Sequence, residues 1–371
     1  MNQKIDPRGT GKTVFKPKAR LLVLLGEQLI ANEIIAVVEL IKNSYDADAK
    51  NVKILLYNVI DKDNGYISII DDGRGMDLER ILNVWLEPAT DYRILEKQKI
   101  DNVDSKPPLP RAKLGEKGIG RFAVHKLGRK IQLITKTENA NYEIIIEIDW
   151  DSFENGYLQD IPVIWVKRKL LTFLGSKTGT SIVISGLRKA WTENDIIHLN
   201  EKINVLNSPF ETKNEFVIDF QAPGFEAKLE KPLKLKELRE KAIYKIEGNV
   251  DEDGFFEYKY DFNYPTFDHL KRKENNIEDV KIPKFFSQSE NKGDSLNPKV
   301  ISKIRKPACG PFSLKLYVWD LDPASLRDSI TRSYYMKHIK PHSGIRIYRD
   351  DFRVWPMENK TMILSLSMLE E

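Results

Sequence analysis

Apolar residues recur at three- and four-residue steps through Ile34, Val37, Val38 and Ile41, in a segment that holds no Gly or Pro. That spacing predicts an amphipathic helix. We place helices over residues 20–30 and 32–46, the second capped by Asn32. The period then shortens to strands at 52–57 and 66–70, joined by the turn-forming stretch 61–65. A helix is predicted through Trp85, a short one over 121–127 closed by Gly128, and strands at 130–136, 142–148 and 180–185. Between them, residues 95–112 form a long polar connection with Pro107, Pro108 and Pro110, a length that in a compact domain marks a functional lid or disorder.

A helix over 193–206 leads to Ser208-Pro-Phe210, where the pattern changes and a domain boundary is placed. Strands are predicted beyond it at 215–220, 242–248, 255–260, 312–319 and 344–348. Residues 264–308 are charged, proline-punctuated and weakly periodic, and read as a surface insertion. The organisation expected is a basic arm (1–19), a first domain (20–207) and a second (208–371). There is no internal repeat.

The composition fits a soluble chain able to bury a core: of 371 residues, 41% are hydrophobic and 31% charged. The 59 basic and 55 acidic residues leave a net charge of +4, which neither demands nor excludes nucleic acid. Cys309 is the single cysteine and cannot form an internal disulfide, in keeping with a cytoplasmic setting. The most apolar window, 21–41, is interrupted by Glu27, Glu33 and Glu39, and a central acidic residue costs about 2.5–3.5 kcal/mol in a bilayer. No membrane partner is expected.

Candidate chemistry sits in short stretches. On the helix 32–46, Glu39, Asn43 and Asp46 share one face; a carboxylate one turn before a carboxamide could orient a water beside a hard cation. A solvated polar stripe would look the same. Asp71-x-Gly73-x-Gly75-Met76 ends a strand: the carboxylate can accept from an exocyclic amine, the glycines admit a flat ring, and Met76 offers adaptable apolar surface. Gly115, Gly118 and Gly120, with Lys117 and Ile119 between them, precede a helix and could face an anion, with Lys113 and Arg121 equally placed to add charge. Thr180 opens a strand after Gly179. Gly9-Thr-Gly-Lys-Thr13 mimics a P-loop, but Asp6 stands where its first glycine belongs and no strand precedes it.

Taken together and in this order, these stretches resemble the GHKL superfamily of ATPases: gyrase B subunits, the ATP-dependent heat-shock chaperone, sensor histidine kinases and MutL. The resemblance covers residues 21–187. It implies an α+β architecture, a two-layer α/β sandwich of the Bergerat-type ATP-binding fold with a mixed sheet and helices on one face. Residues 188–355 resemble, more loosely, the transducer domain of gyrase, MutL and MORC proteins. Ser208-Pro-Phe210, Val318-Trp-Asp-Leu-Asp322 and Gly344-Ile-Arg-Ile-Tyr-Arg349 suggest a bacterial MORC-like branch.

The resemblance implies ATP as ligand and Mg²⁺ as cofactor. It makes Glu39 the general base and Asn43 the Mg²⁺ ligand, while Asp46 is structural. Asp71 would recognise adenine, supported by Thr180, in a pocket shaped by Gly73, Gly75 and Met76. Gly115, Lys117, Gly118, Ile119 and Gly120 would cradle phosphates as the lid closes. Lys337, Lys340 and Arg346 are the candidates to reach the γ-phosphate. The function implied is ATP hydrolysis coupled to homodimerisation, in a DNA transaction or a bacterial defence system, with DNA or a partner protein as client. Lys271-Arg-Lys273 and the arm are the candidate contacts to nucleic acid. The alternatives are a protein histidine kinase, opposed by the presence of Glu39, and a non-hydrolysing ATP-dependent assembly switch.

Overall fold

Helix α2 runs over Glu33–Asp46. Asn32 starts it: its side-chain oxygen accepts from the Ile35 amide at 2.9 Å, satisfying one of the unpaired groups of the first turn. Ala36, Val37, Val38, Leu40, Ile41 and Tyr45 are buried, the face that the apolar periodicity predicts. The computed structural model describes residues 14–87, 123–153, 155–207, 216–229, 242, 244–251, 256–262, 311–319, 347–349 and 352–355. The chain forms two compact units, residues 1–232 with 346–360, and 233–345 with 361–371.

In the first unit, α1 (Arg20–Leu29) precedes α2. Strands β1 (Asn51–Tyr57) and β2 (Tyr66–Asp71) pair antiparallel, with Val52 opposite Asp71. Asp61 organises their turn by accepting from the amides of Asp63 and Asn64. The helix α3 (Leu78–Arg80), capped by Asp77, passes into a π-helical turn at Ile81–Trp85, where the sequence predicts a continuous helix; the Leu86 amide reaches back to the Ile81 carbonyl at 2.9 Å. Then follow α4 (Ala123–Leu127), β3 (Gly128–Lys136), β4 (Glu143–Asp149), β5 (Ile164–Arg168), β6 (Gly179–Leu187), α5 (Glu193–Asn204) and β7 (Val217–Gln221). Thr192 and Asp195 form a reciprocal capping box at the start of α5.

The sheet order is β5-β4-β3-β6-β2-β1-β7. The β1–β7 pair is parallel and the other pairs are antiparallel, so the sheet is mixed. Alternate residues, including Val52, Ile54, Leu56, Ile67, Ile69, Leu133, Ile144, Ile146 and Ile184, are buried in one core with the helices. Polar and partly exposed residues such as Lys53, Tyr57, Ile70 and Glu147 lie at the intervening positions. This is the mixed sheet with helices on one face. Strand β5 was not predicted. It pairs with β4 alone, and Ile164, Trp165 and Val166 are all exposed, so it lacks the alternation by which a half-buried strand is read.

The first unit runs past the boundary placed after residue 207. β7 extends the sheet beside β1. The hairpin β11 (Ile347–Arg349) and β12 (Phe352–Trp355) returns to the same unit, where the Arg353 amide donates to the Leu206 carbonyl at 2.7 Å. Phe352 is fully buried against Tyr45 of α2, ring centroids 4.5 Å apart, and Phe216 packs on both rings. Aromatic burial therefore joins chain segments that periodicity alone separates.

The loop between β5 and β6 is pinned by two buried charges. Glu143 accepts from the amides of Leu171, Thr172 and Phe173, the first at 2.6 Å, and pairs with Arg168 at 3.0 Å. On the neighbouring strand, the Lys136 ammonium donates to the carbonyls of Gly175 and Lys177 at 2.8 and 2.7 Å.

The second unit contains a three-stranded antiparallel sheet, order β10-β8-β9, of β8 (Tyr244–Val250), β9 (Phe256–Phe262) and β10 (Phe312–Val318). Cross-strand bonds from Ser313 to Asn249 and from the Tyr317 hydroxyl to Glu247 fix its register. Among the described residues no helix is long and apolar enough to cross a membrane. Residues 1–13 of the arm, the lid 95–112, Ser208-Pro-Phe210, the insertion 264–308 with Lys271–Lys273, and Lys337, Lys340 and Arg346 lie outside the described residues.

Two stability effects follow. Phe352→Ala is expected to lower unfolding free energy by about 3–5 kcal/mol, the usual range for emptying a buried aromatic site, as read by denaturant titration. Burial alone would raise the Glu143 carboxyl, but the amides of Leu171, Phe173 and Thr172 and the Arg168 guanidinium outweigh it and hold it at about 2, against an ordinary value of 4.5. A depressed folded value contributes stability that is fully present above 4.5 and lost as pH falls toward 2. Glu143→Gln should therefore destabilise at neutral pH, and the difference from wild type should shrink in acid melts below pH 4.5.

Candidate functional site

β2 delivers Asp71 to the end of the sheet beside the C-terminal half of α2. The Ser44 hydroxyl donates to Asp71 Oδ2 at 3.0 Å, while Asp71 Oδ1 accepts from the amides of Gly73 at 3.0 Å and Thr180 at 3.1 Å. A carboxylate offers about four acceptor positions. Of the bonds described here, Oδ2 takes only the Ser44 hydroxyl, which leaves it capacity for a further donor. Burial pushes the Asp71 carboxyl up to about 6, against the pull of Gly73, Ser44 and Thr180, and the neighbouring Asp72 charge adds to the rise.

The bend after Asp71 is held to α2 and to β6 by close backbone approach. A side chain at Gly73 would place its Cβ 2.8 Å from the Ala47 carbonyl oxygen. Gly75 adopts φ +65°, and a Cβ there would overlap the Lys136 carbonyl; one at Gly179, φ +141°, would overlap that of Asp71. Arg74 adds side-chain stitches: its Nε pairs with Asp48 at 3.0 Å and its Nη2 donates to the Asp46 carbonyl at 3.2 Å. Asp46 thus contributes through its backbone to the join between α2 and the bend.

Thr135, fully buried on β3, connects the bend to β6. Its hydroxyl oxygen accepts from the Met76 amide at 2.8 Å, donates to the Gly179 carbonyl at 3.0 Å and lies 3.3 Å from the Thr180 hydroxyl. Thr178 donates to the Gly73 carbonyl at 2.8 Å. One hydrogen-bonded frame therefore gathers Asp71, Gly73, Met76 and Thr180, with Gly75 wedged against Lys136.

Glu39 and Asn43 are partly buried and lie one turn apart on α2, about 6 Å along the axis. Asn43 immediately precedes Ser44, so the carboxamide sits at the level of the Asp71 contact and Glu39 one turn further along. Glu39 Oε1 pairs with Lys42 Nζ at 2.6 Å. Among the described residues no group of three or more His, Cys, Asp or Glu could hold a metal. A cation beside Asn43 would complete its shell from a bound ligand and water.

Helix α4 packs against α2. His125 on α4 is buried, its Nε2 2.7 Å from Arg188 Nη2, with Trp150 edge-on. Burial first, then the Arg188 charge, lowers its value to about 4, so the ring is neutral at physiological pH. Arg188 also bonds the carbonyls of His125 and Leu127, fixing α4 to the end of β6. The glycine cluster Gly115, Lys117, Gly118, Ile119 and Gly120 lies outside the described residues.

Sequence reasoning missed Ser44, Arg74, Thr135 and Lys136. Ser44 falls inside the helix stretch already singled out, and its position one residue beyond Asn43 was the available signal. The acceptors of Thr135 and Lys136 are largely backbone carbonyls, which leave no residue pattern to find.

No curated protein matches the chain. Residues 32–180 match the family described as histidine kinase-, DNA gyrase B-, and HSP90-like ATPase. The match begins at the Asn32 cap and ends at Thr180, so it takes in α2, the Asp71 bend and the first two residues of β6, Thr180 among them. This segment is a GHKL-type ATP-binding domain.

Proposed function

We propose that the chain is a Mg²⁺-dependent ATPase whose nucleotide state controls lid closure and pairing of two copies. The observation that carries this is the buried Asp71 carboxylate, presented by Gly73, by Thr180 and by Ser44, the residue that follows Asn43 on α2. Asp71 Oδ2 accepts from the exocyclic amine of adenine, and Thr180 supports it. Gly73, Gly75 and Met76 form the wall against the ring. Asn43 offers a neutral oxygen to Mg²⁺, an ion that would screen the phosphate charge when bound. Glu39 takes the proton of the attacking water. Gly115, Gly118 and Gly120, with Lys117 and Ile119, cradle the phosphates by their amides.

The resemblance supports the wider setting: homodimerisation on ATP, a γ-phosphate contact from Lys337, Lys340 or Arg346, and work in a DNA transaction or a MORC-like bacterial defence system. In the same reading the transducer-like domain, expected over residues 208–371, corresponds to the second unit, residues 233–345 with 361–371.

Glu39→Ala should retain ATP binding yet lose phosphate release by about 10²–10⁴-fold, the range for a general base. Undiminished turnover would remove Glu39 from that role. Acid-labile phosphate on the chain after incubation with γ-labelled ATP would instead assign the pocket to a histidine kinase.

Asp71 gives a pH signature. Its ionised form accepts the amine bond, so ATP affinity should fall as pH drops through about 6. Asp71→Asn should bind about 10–100-fold more weakly, the worth of a charge-assisted bond, and lose that pH dependence in calorimetric titrations. A folded value raised from 3.8 contributes stability that is present below 3.8 and lost as pH rises through about 6. The same substitution should therefore raise the melting temperature of the nucleotide-free protein at neutral pH.

A further inference from the structure

We infer that Lys42 is a positioning residue for Glu39, an inference that rests on the reading of Glu39 as general base. The Lys42 ammonium lies 2.6 Å from Glu39 Oε1, and the two side chains are only 15% and 28% exposed. A pair so sheltered is screened less by salt and water than a surface pair. It also fixes a long carboxylate side chain that would otherwise sample several rotamers.

The helical placement gives the pair a direction. With successive residues about 100° apart, Lys42 lies about 60° to one side of Glu39 and Asn43 about 40° to the other. The ammonium and the carboxamide flank the carboxylate, so Lys42 approaches from the side away from the proposed cation ligand. Lys42 engages Oε1, and Oε2 is the oxygen left to address water. The base is thereby held facing the water path.

The test is steady-state ATP hydrolysis by the full chain, with ATP affinity measured separately using a fluorescent ATP analogue. Lys42→Met should lower kcat about ten-fold or more, the scale of a misplaced base, while KM for ATP changes less than about three-fold. Lys42→Arg keeps a cation within reach and should recover most of the loss. In a Glu39→Gln background, Lys42→Met should have no further effect on kcat, a result that a structural role for Lys42 would not produce. Should Lys42→Met fail to bind the analogue, Lys42→Gln, polar and of similar length, replaces it with the same expectation. Wild-type kcat in the substituted protein, or a kcat above it, overturns the inference while the ATPase reading stands. Full turnover by Glu39→Gln alone overturns that reading and the inference with it.

Discussion

The frame of the site depends on one buried carboxylate. Asp71 terminates β2, and its oxygens bind the helix α2 through Ser44, its own bend through Gly73 and the strand β6 through Thr180. A buried carboxylate is tolerated only where donors surround it, so these bonds specify how helix, bend and strand meet. Burial pushes the carboxyl up to about 6 against the pull of these donors. A further donor to Oδ2 would offset part of that burial cost.

Opposite charges fix the neighbouring loop from two strands. Glu143 collects its amides and Lys136 its carbonyls, so the backbone between Leu171 and Lys177 is held by both of its polar faces. The bend at Gly73 and Gly75 leans on this loop through Thr178 and on β3 through Lys136. Rigid surroundings of this kind keep the bend in one conformation, and a segment already ordered pays less to bind anything that meets it.

Much of this was legible in the residues. Asn32 announced the start of α2, the Ile34–Ile41 periodicity its buried side, and Asp71-x-Gly73-x-Gly75 the bend at the strand end. Local signals of that kind survive folding because they arise from capping, helical period and backbone sterics. Tertiary pairings did not show. Strand β5 is exposed along its length and has no alternation to read. The bond from Ser44 to Asp71 joins two segments that each looked complete, and Phe352 gave no sign that its partner was Tyr45.

The return of β12 to α2 has a consequence for biosynthesis. The ring that covers Tyr45 is encoded after residues 233–345 of the second unit. At about 5–20 residues per second, a nascent chain emerges with helix α2 tens of seconds before its covering aromatic. During that interval the side of Tyr45 that Phe352 covers stands open on the ribosome. Its closure waits for β12 to leave the exit tunnel.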